Sequence, residues 1–195
     1  MPMDYAETKL YMKEFFERRY AELSAGSGAG VMLPFEDEGE EMLADGADPD
    51  AEWKKWKLVP ASISEDELAS FEKSLGVKLP LQMKAFLTTY HHCFEAPVGE
   101  NPTFDHFAAV KESWNPLLVS CGYLPFTGDE EGAYIRCIDL KNMPGEDKCG
   151  VFEIDHEILF SFDEETAERG EVEAEMQPVA ENFIAYLNGV ERGEI

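Results

Sequence analysis

Apolar side chains along 4–23 fall near helical spacing: Tyr5, Met12, Phe15, Phe16, Tyr20 and Leu23. That period predicts an amphipathic helix with one buried face. The AGSGAG stretch after it is a flexible connection by composition. The clearest local pattern is ISEDELASFEKSLGVKLP at 63–80. Ser64 is a good N-cap, and Glu67 three residues on completes a capping box. Ile63 can staple onto Leu68, and Glu65 and Asp66 suit the positive end of the helix dipole. Leu68, Phe71 and Leu75 form the inner stripe, and Gly76 ends the helix at a left-handed position. Leu79-Pro80 then opens a second helix with Met83, Phe86, Leu87 and Tyr90 inward. The pair outlines a helix–turn–helix, but Lys84 is the one base on its second helix, which argues against DNA binding.

From about Phe104 the periodicity changes. Short apolar runs between turn residues predict strands at 107–110, 117–120, 134–140, 150–155 and 158–162. Within 134–140, Ile135 and Cys137 alternate with Arg136 and Ile138, so the two pairs face opposite ways. The turn residues of NMPGEDKCG at 142–150 link two antiparallel neighbours. The acidic stretch 163–175 reads as exposed. Val179, Phe183, Ile184, Leu187 and Val190 then return to helical spacing. Helices, strands and a last helix predict an α+β domain: an antiparallel twisted sheet, helices mainly on one face, and a closing C-terminal helix. The expected division is an appendage over 1–52, holding the first helix and an acidic loop, and a domain over 53–195.

Charge changes the picture most. The chain has 41 acids against 16 bases, a formal net charge of −25 over 195 residues. Such a chain repels nucleic-acid phosphates and anionic lipid, and attracts a basic protein partner. Residues 36–52 hold nine acids and no base, a solvated loop rather than an EF-hand, because the regular D-x-D-x-D-G spacing is missing. WKKWKL at 53–58 is the one basic patch, and its tryptophans are expected to pack onto the core with lysine heads in water. No run approaches the length of a bilayer span, and the N-terminus lacks a secretory pattern. A cytoplasmic protein is expected. Cys93, Cys121, Cys137 and Cys149 make no C-x-x-C pair and read as buried free thiols.

Motifs for chemistry are scarce. There is no P-loop, strand-linked G-x-G-x-x-G, G-x-S-x-G or H-E-x-x-H. His91 and His92 end a helix, where imidazoles can meet carbonyls, and His106 precedes an expected strand. Asp155-His156-Glu157 resembles a metal triplet, but neighbours on a strand point to opposite faces and do not converge. No cofactor or metal is expected. In FTGDEEGAYIRCIDL at 126–140, GDEEG reads as a loop tip with Asp129, Glu130 and Glu131 exposed.

Several segments in order resemble the SUKH superfamily, which includes bacterial immunity proteins and fungal cell-wall and glucan-synthesis regulators. They are Phe71-Glu72, Leu75-Gly76, Leu79-Pro80 and 84–87, then 128–140 and 150–157, and the closing stripe 183–187. The resemblance implies a non-enzymatic α+β domain that binds other proteins; its bacterial members commonly neutralise a toxin, often a nuclease. Nuclease toxins tend to be basic because they bind phosphate, so an anionic inhibitor complements them. Candidate contacts are Glu36, Asp37, Glu38, Glu40, Glu41, Asp129, Glu130, Glu131, Asp163, Glu164, Glu165 and Glu168. The partner expected is a basic toxin or effector domain. A regulatory scaffold is the alternative, and a carboxylate- or metal-dependent enzyme the remote one.

Overall fold

The computed structural model describes residues 3–25, 28–34, 39–48 and 50–195. Part of the 25–30 connection and of the acidic stretch, including Glu36, Asp37 and Glu38, lies outside the described residues. The chain runs α1 (Tyr5–Ala25), β1 (Met32–Leu33), β2 (Lys54–Lys55), β3 (Val59–Pro60), α2 (Glu65–Leu75), α3 (Leu81–Leu87) and β4 (Tyr90–His91). It continues through α4 (Ala108–Glu112), α5 (Pro116–Ser120), β5 (Tyr123–Gly128), β6 (Tyr134–Asp139), β7 (Val151–Asp155) and α6 (His156–Leu159). It ends with α7 (Arg169–Glu175), β8 (Gln177–Ala180) and α8 (Phe183–Glu191). β5 to β8 form one antiparallel sheet in chain order, and β1–β2 and β3–β4 are short antiparallel ribbons. The architecture is α+β, closed by a C-terminal helix.

Local grammar sets the central helices. Ser64 Oγ accepts the Glu67 amide at 3.2 Å, and Glu67 Oε2 accepts the Ser64 amide at 2.9 Å, so the capping box forms. Gly76 ends α2 at φ +74°, where a side chain would be strained. The joint to α3 is made by Glu72, whose side chain is only 4% exposed. Its carboxylate accepts the Leu79 amide at 2.9 Å and pairs with Lys78 Nζ at 2.6 Å and Lys84 Nζ at 2.8 Å. Burial opposes its charge, but these donors prevail and lower its pKa to about 2. Phe71 stacks on Phe107 with centroids 4.0 Å apart. Phe71-Glu72, Leu75-Gly76 and Leu79-Pro80 are therefore parts of one helix–helix joint.

Most of the apolar core lies on one face of the sheet. Leu124, Ile138 and Val151 meet Met12, Phe15 and Phe16 of α1, Phe86 of α3 and Phe183 of α8 in one cluster. The alternation along β6 is as the pattern predicts: Ile138 joins this cluster, while Cys137 and Ile135 face a smaller one with Leu117, Tyr123, Ile154, Leu159 and Val172. α1 is tied to the rest by polar contacts: Tyr11 donates to Asn188 at 2.9 Å, Arg18 bridges Glu191, and Tyr90 donates to Glu17 at 2.9 Å. All four cysteines are buried, and none is in a disulfide.

Several expected strands are helical, each for a local reason. The run 117–120 lies in α5 because Asn115 caps it, accepting the Leu118 amide at 3.0 Å, with Pro116 in the first turn. The run 107–110 enters α4, and Phe107 itself adopts φ +67°. The run 158–162 starts in α6 because Asp155 accepts the Glu157 and Ile158 amides at 2.7 and 3.2 Å. Two true strands were hidden by proline. Pro125 in β5 and Pro178 in β8 sit on the two outer strands, where a missing amide donor is tolerated. In 163–175 the acids Asp163, Glu164, Glu165 and Glu168 are exposed, but α7 buries Val172, and Arg169 donates to Asp139 at 2.9 Å and to the Cys121 carbonyl. In WKKWKL, Trp56 is fully buried against Tyr20 and Phe94, whereas Trp53 is 53% exposed: it stands outside the short β2 pairing that turns Trp56 inward.

Candidate partner-binding surface

The acidic turn that opens β6 is a locked hairpin. Asp129 Oδ1 accepts the Tyr134 amide at 2.8 Å, its amide donates to the Tyr134 carbonyl at 3.2 Å, and its carbonyl accepts Gly132 N–H at 3.2 Å. Gly132 takes φ +70°. Asp129 is thus half-buried and committed to the backbone, while Glu130 and Glu131 stand exposed. The segment after α6 repeats this design. Asp163 Oδ1 accepts the Glu165 amide at 3.0 Å and its carbonyl accepts the Thr166 and Ala167 amides, leaving Glu164 and Glu165 outward. Glu168 opens α7 in a capping box with Glu171 and is exposed. In each turn one aspartate shapes the backbone and the following glutamates project as free charge.

These two turns flank one short element. The His156 amide at the start of α6 donates to the Ala133 carbonyl at 2.9 Å, joining α6 to the β5–β6 turn. Leu159 is 2% exposed and anchors α6 in the smaller core cluster. Glu130 also borders a hollow of about 230 Å³ with Arg19 and Arg192 near the end of α8. Glu40 and Glu41 belong to a different segment of the chain. They sit in a turn over Met42, whose sulfur meets Cys93 and the Thr103 amide in the larger core. The Thr103 hydroxyl and Glu41's own amide hold the Glu41 carboxyl below its ordinary pKa.

The histidines differ from their expected roles at a helix end. His91 Nδ1–H donates to the Asn101 carbonyl at 3.2 Å, and Nε2 accepts the Ser62 amide at 3.1 Å. Its ring stacks on His106, which lies 3.5 Å from Glu67. His92 is fully buried among Phe16, Phe86 and Phe94, and neither ring nitrogen has a partner. Both rings are pulled off the helix end by pairing of β4 with β3 and by the His92–Asn101 bridge. DHE does not converge either: Asp155 is a helix cap and His156 packs edge-on against Phe160. Among the described residues, no group of three or more His, Cys, Asp or Glu side chains is placed to hold a metal ion.

Two features escaped sequence reasoning because they join distant segments. Asn101, fully buried, donates to the Leu87 carbonyl at 2.9 Å and accepts the Phe107 amide at 2.9 Å, fixing the long connection after β4. Glu95, Glu100 and Glu112 line a hollow of about 250 Å³ with Ser113 and Thr127. Burial, then the charges of Glu112 and Glu95, push the Glu100 carboxyl up to about 7. Among the described residues, no helix is long and apolar enough to cross a membrane.

A comparison with curated proteins found no match. The family model described as "SMI1 / KNR4 family (SUKH-1)" matches residues 62–189, which hold the Glu72 joint, the four-stranded sheet and both flanking turns. With most of its length inside that match, the chain belongs to the SMI1/KNR4 (SUKH-1) family.

Proposed function

We propose that this chain is a non-catalytic protein-binding domain, an immunity protein that neutralises a basic, nuclease-type toxin. The observation that carries the reading is the paired design of the two acidic turns. Glu130, Glu131, Glu164 and Glu165 project from backbone that Asp129 and Asp163 already hold rigid. Charges fixed in this way meet a basic surface without a large ordering cost. Together with a net charge of −25 they favour fast, salt-sensitive encounter with a cationic protein. Family membership agrees with a protein-binding role.

The test is recovery of the partner from cells that make the chain, followed by assay of the recovered protein. The expected result is a basic nuclease whose activity falls stoichiometrically as the chain is added. Replacing Glu130, Glu131, Glu164 and Glu165 together by lysine should slow association about tenfold or more at low salt. Asp129 and Asp163 are left intact so that the turns survive. Recovery of no basic protein, or turnover of a small molecule by the pure chain, would overturn the proposal.

A further inference from the structure

We propose that the Ile158–Phe160 ridge, at the C-terminal end of α6, is the apolar anchor of the docking surface, seated in an apolar cleft of the basic partner with the neighbouring acids as its rim. This rests on the basic-partner reading above and adds where that partner binds. Phe160 is 63% exposed, the most exposed large hydrophobic side chain among the described residues, and Ile158 is 37% exposed. Leu159 between them is buried, so the ridge is pinned from below. The backbone is held as well. Asp155 caps the turn, the Phe160 amide donates to the His156 carbonyl at 3.1 Å, and Ser161 N–H donates to the Ile158 carbonyl at 3.0 Å. The His156 ring stands edge-on to Phe160 with centroids 4.6 Å apart, bounding one side of it. An aromatic group displayed from a fixed turn loses little freedom on binding.

The surroundings choose the occupant. Residues 155–168 contain Asp155, Glu157, Asp163, Glu164, Glu165 and Glu168 and no lysine or arginine. An apolar centre within a charged rim is the usual anatomy of a protein interface, and buried aromatic anchors dominate its energetics. A second copy of the chain would bring the same ring of acids, and an anionic bilayer would be repelled as strongly. A cationic protein satisfies both parts of the surface. Leu10, the next most exposed at 58%, has other company: it borders a groove with Lys9 and Lys13.

The test titrates the full isotopically labelled chain with two synthetic probes of equal positive charge at near-physiological salt. One is an amphipathic lysine–leucine helix, the other an all-lysine peptide. The amphipathic probe should bind about tenfold more tightly, as expected for burying a phenyl ring. Its amide shifts should concentrate at 156–165 and at the β5–β6 turn. Phe160→Ala should remove the preference, Phe160→Leu should restore most of it, and Leu10→Ala should leave it unchanged. Equal binding of both probes, with Phe160→Ala matching the parent, overturns the anchor while the basic-partner reading stands. No binding of either probe at low salt overturns both. A concentration-dependent dimer abolished by Phe160→Ala would make a second copy the occupant and also overturn the inference.

Discussion

Replacing His92 by phenylalanine should make the protein less sensitive to acid, by an amount the surroundings of that ring dictate. The imidazole is fully buried among Phe16, Phe86 and Phe94, and neither nitrogen has a partner. A buried N–H without an acceptor costs about 1–3 kcal/mol. Burial, and then the nearby His91, push the His92 pKa down to about 3 from an ordinary value of 6.5. The unfolded chain therefore binds a proton below pH 6.5 that the native chain refuses. Stability is unaffected by this group above 6.5 and falls by about 1.4 kcal/mol per pH unit below it. The loss is about 2 kcal/mol at pH 5 and saturates near 5 kcal/mol as pH reaches 3. His91, also lowered by burial, tilts the parent curve the same way, while Glu100, raised to about 7, tilts it oppositely. Both persist in the variant, so the difference between variant and parent isolates His92. Urea unfolding at a series of pH values measures that difference. The larger phenyl ring sets the offset at pH 8, and the titration sets the slope. Parallel curves between pH 7 and pH 5 would show that the ring is hydrated or partnered and would refute the argument.

Glu72→Gln should lose the two lysine pairs while keeping an acceptor for the Leu79 amide, and cost about 2–3 kcal/mol in chemical denaturation. With a folded pKa of about 2 against 4.5, the Glu72 contribution is complete above pH 4.5 and fades as pH falls toward 2. The Glu72→Gln deficit should shrink over that interval. Ser64→Ala removes the α2 cap and should cost about 1 kcal/mol, read as a lower urea midpoint with unchanged slope.

What the sequence disclosed follows the range of the interactions. The α2 start depends on residues three apart, so Ser64 and Glu67 announce it. α5 and α6 carried equally local signals, Asn115-Pro116 and Asp155, but the apolar runs beside them imitate strands. β5 and β8 were concealed because Pro125 and Pro178 count against a strand until its place at a sheet margin is known. The exposure of Glu131 and Glu164 was legible from composition, whereas the structural duty of Asp129 and Asp163 emerges only with the backbone geometry. The Glu95–Glu100–Glu112 hollow and the Asn101 hub join segments far apart along the chain, and no periodicity reports such meetings.

A foreign chain drawing alongside the β8 margin meets Pro178, and one approaching the β5 margin meets Pro125 with α4 packed nearby. Neither proline has a hydrogen to lend a newcomer. Lateral accretion, the route by which open sheets grow into fibres, is thereby obstructed on both flanks. Growth of the sheet by a strand from a second copy is therefore disfavoured at either margin.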